Sequence, residues 1–448
     1  MLISAGFFVP AFTILFSSFG LACLWRVALR SGRYRHGLLF GLAYFLPITH
    51  WLGGFVGRWT GSAMLFGLAW ALVALGLALP LAAMVPIAHR LLGTRWHYAL
   101  ALVWIGLELF RSYVPVFAFP WGLLAHPIAE LGIGEAFGLL GVYGTGGILV
   151  IVSLWLSQSR DAQSREIYRR VPLISAGAAI LVLIAFLFIA PRLRPANRPD
   201  LRLAAYQPGL DLAFGPYAQE SFERRIALDE RITKAREAQS RALADLMVLP
   251  EGLIASSDPS DLPRITGPGT LLLGGQRRAG GTAYQTAFAY DGATGRWESA
   301  DKTRLVIFGE FVPGRGVIPY PPSFALPGGD LSAASELRMI DAHTRDGKPF
   351  RVGPILCFEA LFPDIAYRQK ARGADVLAVM SLDDWFAGTR APEWLEWAAR
   401  WRAAETGLPL VRVGSLGHTS LIDGRGEVKR KIAWGARGAV VFNPARSD

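Results

Sequence analysis

Three charged or nucleophilic residues each lie beside a short apolar run in the second half of this chain. Cys357 ends Val352-Gly353-Pro354-Ile355-Leu356, Glu251 follows Leu246-Met247-Val248-Leu249-Pro250, and Lys302 opens Lys302-Thr303-Arg304-Leu305-Val306-Ile307-Phe308-Gly309-Glu310. Apolar runs of this length read as strands, and a strand end is a rigid place to present a side chain. A thiol is a strong nucleophile only as the thiolate, so it needs a base within reach. Glu251, held away from water, would have a raised pKa suited to taking and returning that proton. Lys302 would supply positive charge where an oxyanion develops. Glu310 could orient the lysine or substitute in part as base, and Glu359 could orient the others from behind. Base, cation and thiol together point to nucleophilic acyl transfer.

A rival nucleophile is Ser415 in Val413-Gly414-Ser415-Leu416-Gly417, with His418 nearby. Val413 stands where a nucleophile elbow requires glycine, so Ser415 reads as a turn residue. No Cys-x-x-Cys or His-Glu-x-x-His pattern appears among two cysteines and seven histidines, so neither a metal nor any other cofactor is expected. Cys23 lies in an apolar run far from Cys357, which argues for free thiols rather than a disulfide.

The elements that must carry these residues fall into two halves. The 448 residues are 52% hydrophobic and 18% charged, too apolar for one water-soluble domain. The excess lies before residue 190. There, six candidate membrane spans are expected near Ser4–Leu24, Gly37–Phe55, Ser62–Ala88, Tyr98–Phe110, Ala136–Leu156 and Val171–Ile189. The fourth is short, and Val114–Leu124 after it reads as re-entrant or interfacial. Glu108 and Arg111 read as a local pair at a membrane boundary. The first span lacks a basic start and a small-residue cleavage pattern, so it is not read as a signal peptide.

Arg26, Arg30, Arg33 and Arg35 follow the first span, Arg90 and Arg95 the third, and Arg160, Arg165, Arg169 and Arg170 the fifth. By the positive-inside rule these loops face the cytoplasm, and an even span count puts the C-terminal half outside. The net charge of +11 is thereby explained as a topology signal, with no nucleic-acid partner implied. Residues 191–200 form a Pro/Arg linker. Residues 201–448 alternate strand and helix patterns, with helices expected over Phe222–Leu246, Pro363–Arg372 and Glu393–Thr406, which suits a layered α/β sandwich. Trp394, Trp397 and Trp401 share one helical face and are read as core.

The order Glu251, Lys302, Cys357 resembles the nitrilase, or carbon–nitrogen hydrolase, superfamily, which implies an α-β-β-α sandwich. The likeness extends through Gly37–Phe45, Phe119-Pro120-Trp121, Leu140–Gly144, Phe308-Gly309-Glu310-Phe311-Val312-Pro313 and Asp383-Asp384-Trp385-Phe386, which resemble apolipoprotein N-acyltransferases. That resemblance implies transfer of an acyl chain from a phospholipid, through a cysteine thioester, to the N-terminal amine of a lipid-modified lipoprotein. It implies a monomer in a bacterial inner membrane with a periplasmic catalytic domain. Phe358, Trp385, and Tyr320 and Phe324 of the proline-rich loop Val317–Pro327 are expected to line the substrate pocket. Leu249, Leu382 and Ser415-Leu416 depart from the family pattern and leave the acceptor open. Two alternatives follow: a conjugal-transfer or envelope-assembly protein of the TraB type, or a membrane-tethered amidase.

Overall fold

The structure is a computed structural model that describes residues 1–31, 33–92, 100–114, 118–158, 199–213, 229–256, 262, 264–319, 326 and 329–446. It divides into two compact units, Met1–Pro195 and Ala196–Asp448.

The first unit is helical: α1 Leu2–Ala5, α2 Thr13–Ser31, α3 Tyr34–Thr60, α4 Ala63–Leu92, α5 Leu100–Tyr113 and α6 Gly134–Gln158. Among the described residues four stretches are long and apolar enough to cross a bilayer: Pro10–Val27, Tyr34–Arg58, Ala63–Ile87 and Ala136–Ser157. The six-span expectation meets these stretches at its first, second, third and fifth spans. Its first span does not begin at Ser4, because α1 stops at Ala5 and a one-turn 3-10 helix led by Pro10 precedes α2. Its fourth corresponds to α5, whose 14 residues extend about 21 Å against a hydrocarbon core of about 30 Å. Its sixth, Val171–Ile189, lies outside the described residues.

Small residues decide how α3 and α4 pair. A Cβ on Gly37 would stand 2.6 Å from the Leu81 carbonyl oxygen, and one on Gly41 2.7 Å from Cβ of Ala78. Close helix approach of this kind supplies the dispersion contacts that substitute for a hydrophobic drive in lipid. The turn between them closes on Gly61, which adopts φ 66° and returns its N–H to the Gly57 carbonyl.

Glu108 and Arg111 are buried, 3.7 Å apart, and do more than pair. Arg111 donates to the carbonyls of Phe119, Trp121 and Gly122, and Glu108 accepts the N–H of Leu124 at 2.8 Å. They satisfy the irregular backbone that follows α5, which could not stand unpaired in an apolar setting.

The second unit is the expected sandwich. With β1 Leu203–Gln207, β2 Leu246–Val248, β3 Ile254–Ser256, β4 Thr270–Ala279, β5 Thr282–Asp291, β6 Arg296–Asp301 and β13 Gly438–Phe442, one sheet runs in the order β13-β1-β2-β4-β5-β6, with β3 joined to β4. With β7 Ile340–His343, β8 Pro349–Leu356, β9 Val376–Ser381, β10 Leu410–Gly414, β11 Thr419–Ile422 and β12 Val428–Ile432, the other runs β12-β11-β10-β9-β8-β7. Alternation sorts β1 (Leu203–Gln207) in the plainest way. Leu203 and Ala205 join Val352, Ala378 and Val411 in the core between the sheets, while Ala204 and Tyr206 join the outer cluster with Ala235. Ala235 belongs to α7, Asp229–Ala242, which covers that outer face. Helices α8, Pro363–Ala371, and α9, Ala391–Thr406, pack on the second sheet. Trp394, Trp397 and Trp401 of α9 are all buried, so the aromatic stripe is core.

Candidate active site

Strand direction brings the candidate residues to corresponding places in the two sheets. β2 is parallel to β4, β4 antiparallel to β5 and β5 antiparallel to β6, so β2 and β6 point the same way. Glu251 and Lys302 therefore both follow the C-terminal ends of strands in one sheet. In the other sheet, parallel β8 and β9 end at Leu356 and Ser381, placing Cys357 beside Ser381.

Glu251 enters through a notch. A Cβ on Gly274 would lie 2.6 Å from the Cα of Glu251, so only glycine lets β4 pass so close. Gly274 also donates to the Pro250 carbonyl, and Leu253 donates to that of Gly274, fixing the Glu251 segment against β4. Glu251 is 3% exposed. Its Oε1 has no hydrogen-bond donor within the protein, although it stands 3.9 Å from Lys302 Nζ. Burial outweighs that lysine and the Gln285 hydrogen bond, raising the Glu251 pKa to about 7.

Lys302 is fully buried as a side chain and donates to Glu310 Oε1 at 2.6 Å. Burial alone would lower its pKa, but Glu310 and Glu251 more than offset that and raise it above the usual lysine value. The ammonium is thus held charged. Glu310 uses its other oxygen to accept the N–H of Val306 at 2.8 Å, which shapes the loop after β6.

Cys357 begins a one-turn 3-10 helix, Cys357–Leu361, directly after β8. It adopts φ 49°, a left-handed conformation that costs a side-chain-bearing residue about 1–3 kcal/mol. Burial, with Glu251 next in weight, pushes the thiol pKa up to about 12, against the opposing pull of Lys302. The resting group is the neutral thiol.

Glu359 joins the two loops. Its Oε1 accepts from Thr303 N, Thr303 Oγ1 and Arg304 N, at 2.8, 2.8 and 3.1 Å, and its Oε2 from Leu356 N at 3.0 Å. One carboxylate therefore ties the segment after Lys302 to the segment that presents Cys357. Phe358 is buried beside the thiol, its ring edge-on to Phe362 at 5.1 Å. Trp385 is half-buried in the turn Asp383–Phe386. Tyr320 and Phe324 lie outside the described residues.

A further chain of polar residues was not apparent from sequence. Ser381 Oγ lies 3.4 Å from Cys357 Sγ and 2.6 Å from Asp383 Oδ1. Asp383 in turn takes both oxygens to Arg412 Nη2, at 3.0 and 2.9 Å, in a fully buried ion pair. The signal available was a lone arginine inside the apolar strand Leu410–Val413. Ser415 donates to Asp384, whose pKa burial raises to about 7, and Leu212 N donates to the same carboxylate at 2.5 Å. Ser415 thus closes a loop contact. Among the described residues no group of His, Cys, Asp and Glu has the form of a metal site.

Residues 1–155 match the apolipoprotein N-acyltransferase N-terminal domain, and residues 269–443 match the carbon–nitrogen hydrolase domain. Over most of its length the chain is similar to apolipoprotein N-acyltransferases. Relatives bearing that name include one from Allorhizobium ampelinum, 29% identical over 92% of this chain and 80% of its own length. One from Geobacter metallireducens is 27% identical over 73% of this chain and 64% of itself, and one from Rickettsia prowazekii 23% identical over 95% and 86%. Among solved structures, a Saccharomyces cerevisiae member of the nitrilase superfamily aligns at 16% identity and TM-score 0.37, over 54% of this chain and 89% of itself. An amidase from Nesterenkonia sp. aligns at 16% and 0.37, over 56% and 92%. The domain matches and the named relatives support an enzyme of the acyltransferase and carbon–nitrogen hydrolase type in a bacterial membrane.

Proposed function

We propose that this protein moves an acyl chain from a phospholipid to the N-terminal amine of a lipid-modified lipoprotein, through a thioester on Cys357. The observation that carries this reading is the buried pair Glu251 and Lys302, with half-buried Glu310 on the lysine, and a buried thiol held at φ 49°. A neutral thiol beside a carboxylate of pKa about 7 is suited to attack with concerted proton transfer. Glu251 takes the S–H proton as Sγ forms a bond to the ester carbonyl carbon, and the carbonyl π pair moves to oxygen. Lys302 stabilises that oxyanion. Collapse breaks the ester C–O bond, and Glu251 returns the proton to the departing alcohol of the lysophospholipid. The acceptor amine then attacks the thioester, Glu251 takes its proton, and the amide leaves as Cys357 recovers its hydrogen.

In this reading Glu310 keeps Lys302 charged and aimed, Glu359 holds the lysine and cysteine loops together, and Phe358 and Trp385 line the acyl pocket with Tyr320 and Phe324. Residues 1–190 anchor the enzyme, 191–200 link, and 201–448 catalyse, on the periplasmic face of the inner membrane. The family relatives and the four apolar helices support that placement. The test is purified protein with phospholipid and a diacylated lipopeptide. The N-acylated peptide is the expected product; free fatty acid as the main product would instead indicate a membrane-tethered amidase.

A further inference from the structure

The membrane unit carries a group of basic residues that the proposed acyl chemistry does not use. Where the N-terminal end of α3 meets the C-terminal end of α4, a cavity of about 490 Å³ is lined by Arg33, Arg35 and Arg90 together with Tyr34. Its apolar wall comes from Ala83, Pro86 and Ile87 of α4. Three guanidinium groups converge with no counter-charge nearby in the sequence, since Glu108 is the first acidic residue in the chain. The N-terminus of α3 adds to the field: its cap residue is Arg33, no side chain caps it, and no acid stands in its first turn. An uncapped helix N-terminus favours an anion through its unpaired N–H groups and its dipole. The wall matters as much as the charge. The arginines are exposed, as a topology signal requires, but they also rim an apolar recess beside two helices long and apolar enough to cross a bilayer.

We propose that this cavity is a binding site for the phosphodiester headgroup of an anionic phospholipid, with the proximal acyl carbons against Ala83, Pro86 and Ile87. Basic pockets between transmembrane helices take such headgroups, and each basic side chain at a membrane surface is worth enough to change affinity about fivefold. The close α3–α4 packing at Gly37 and Gly41 makes the cavity walls rigid, so lipid binding should stabilise the helical pair.

The test uses the full chain purified in detergent. Phosphatidylglycerol is expected to raise the melting temperature of the wild type above the effect of equal phosphatidylcholine, and native mass spectrometry is expected to retain a phosphatidylglycerol adduct. Single Arg33→Gln, Arg35→Gln and Arg90→Gln variants are each expected to weaken the adduct about fivefold, and the triple variant about a hundredfold. Acyl-enzyme formation at Cys357 is expected to persist in all of them, which also shows that they fold. Equal stabilisation of the wild type by phosphatidylcholine would overturn the proposal, as would full retention of the adduct in a folded triple variant. Equal protection by inorganic phosphate alone would overturn the assignment to lipid.

Discussion

Glu251 is the residue on which the pH behaviour turns. Burial raises its pKa from 4.5 to about 7, so it binds a proton in the folded protein that the unfolded chain would have released. As a base it must be ionised, and acylation of Cys357 should therefore rise with pH along an acid limb centred near 7. Lys302 stays charged across that range because Glu310 and Glu251 outweigh its desolvation. Glu251→Gln should lose the acid limb and at least a hundredfold of the acylation rate, as checked by single-turnover kinetics between pH 5 and 9. The stability sign follows from the same shift. A raised carboxylate pKa means that stability falls as pH climbs from 4.5 to about 7 and stays lower above it. Glu251→Gln, which stands in for the protonated acid, should thus melt no lower than wild type at pH 8. Thermal scans at pH 5 and pH 8 would check this.

Elements fix these residues through a few tight places, and those are where substitutions should act on the site from a distance. Gly274→Ala puts a methyl 2.6 Å from the Cα of Glu251 and must push that segment out of position. The expected outcome is folded protein with acylation reduced at least tenfold, read by circular dichroism alongside the adduct assay. Arg412→Met strands Asp383 as a buried, unpaired carboxylate, at an expected loss of about 3–5 kcal/mol of stability. Asp383→Leu combined with Arg412→Met should recover part of the loss, because the pair is then removed whole. Part of this was legible in the sequence: Glu251 and Cys357 each follow an apolar run that ends a strand, whereas Lys302 follows the half-polar strand Arg296–Asp301. The contact of Ser381 with Cys357 was not, because the partnership of β8 with β9 is a non-local property. Nor was the use of Gly274 in β4 as the notch that admits Glu251.

At the scale of the whole molecule, the change from membrane helices to a layered α/β unit was evident from hydropathy alone. The use of the Tyr98–Phe110 run was less so: Glu108 and Arg111 of α5 hold the backbone of Phe119–Leu124. Composition does not reveal such a use. Orientation makes a separate prediction: alkaline phosphatase fused after Asp448 should be active in cells, and a green fluorescent protein fused there through the same export route should be dark. The reverse pattern would put the catalytic unit in the cytoplasm and remove lipoproteins from its reach.

The central claim is that Cys357 carries the acyl group, with Glu251 as its base. Detergent-purified protein incubated with a phospholipid of one defined acyl chain should gain that acyl mass by intact mass spectrometry, mapped to Cys357. The adduct should be absent from Cys357→Ala and strongly reduced in Glu251→Gln. Folded wild-type protein that takes up no acyl mass, or an adduct that persists in Cys357→Ala, would contradict the account.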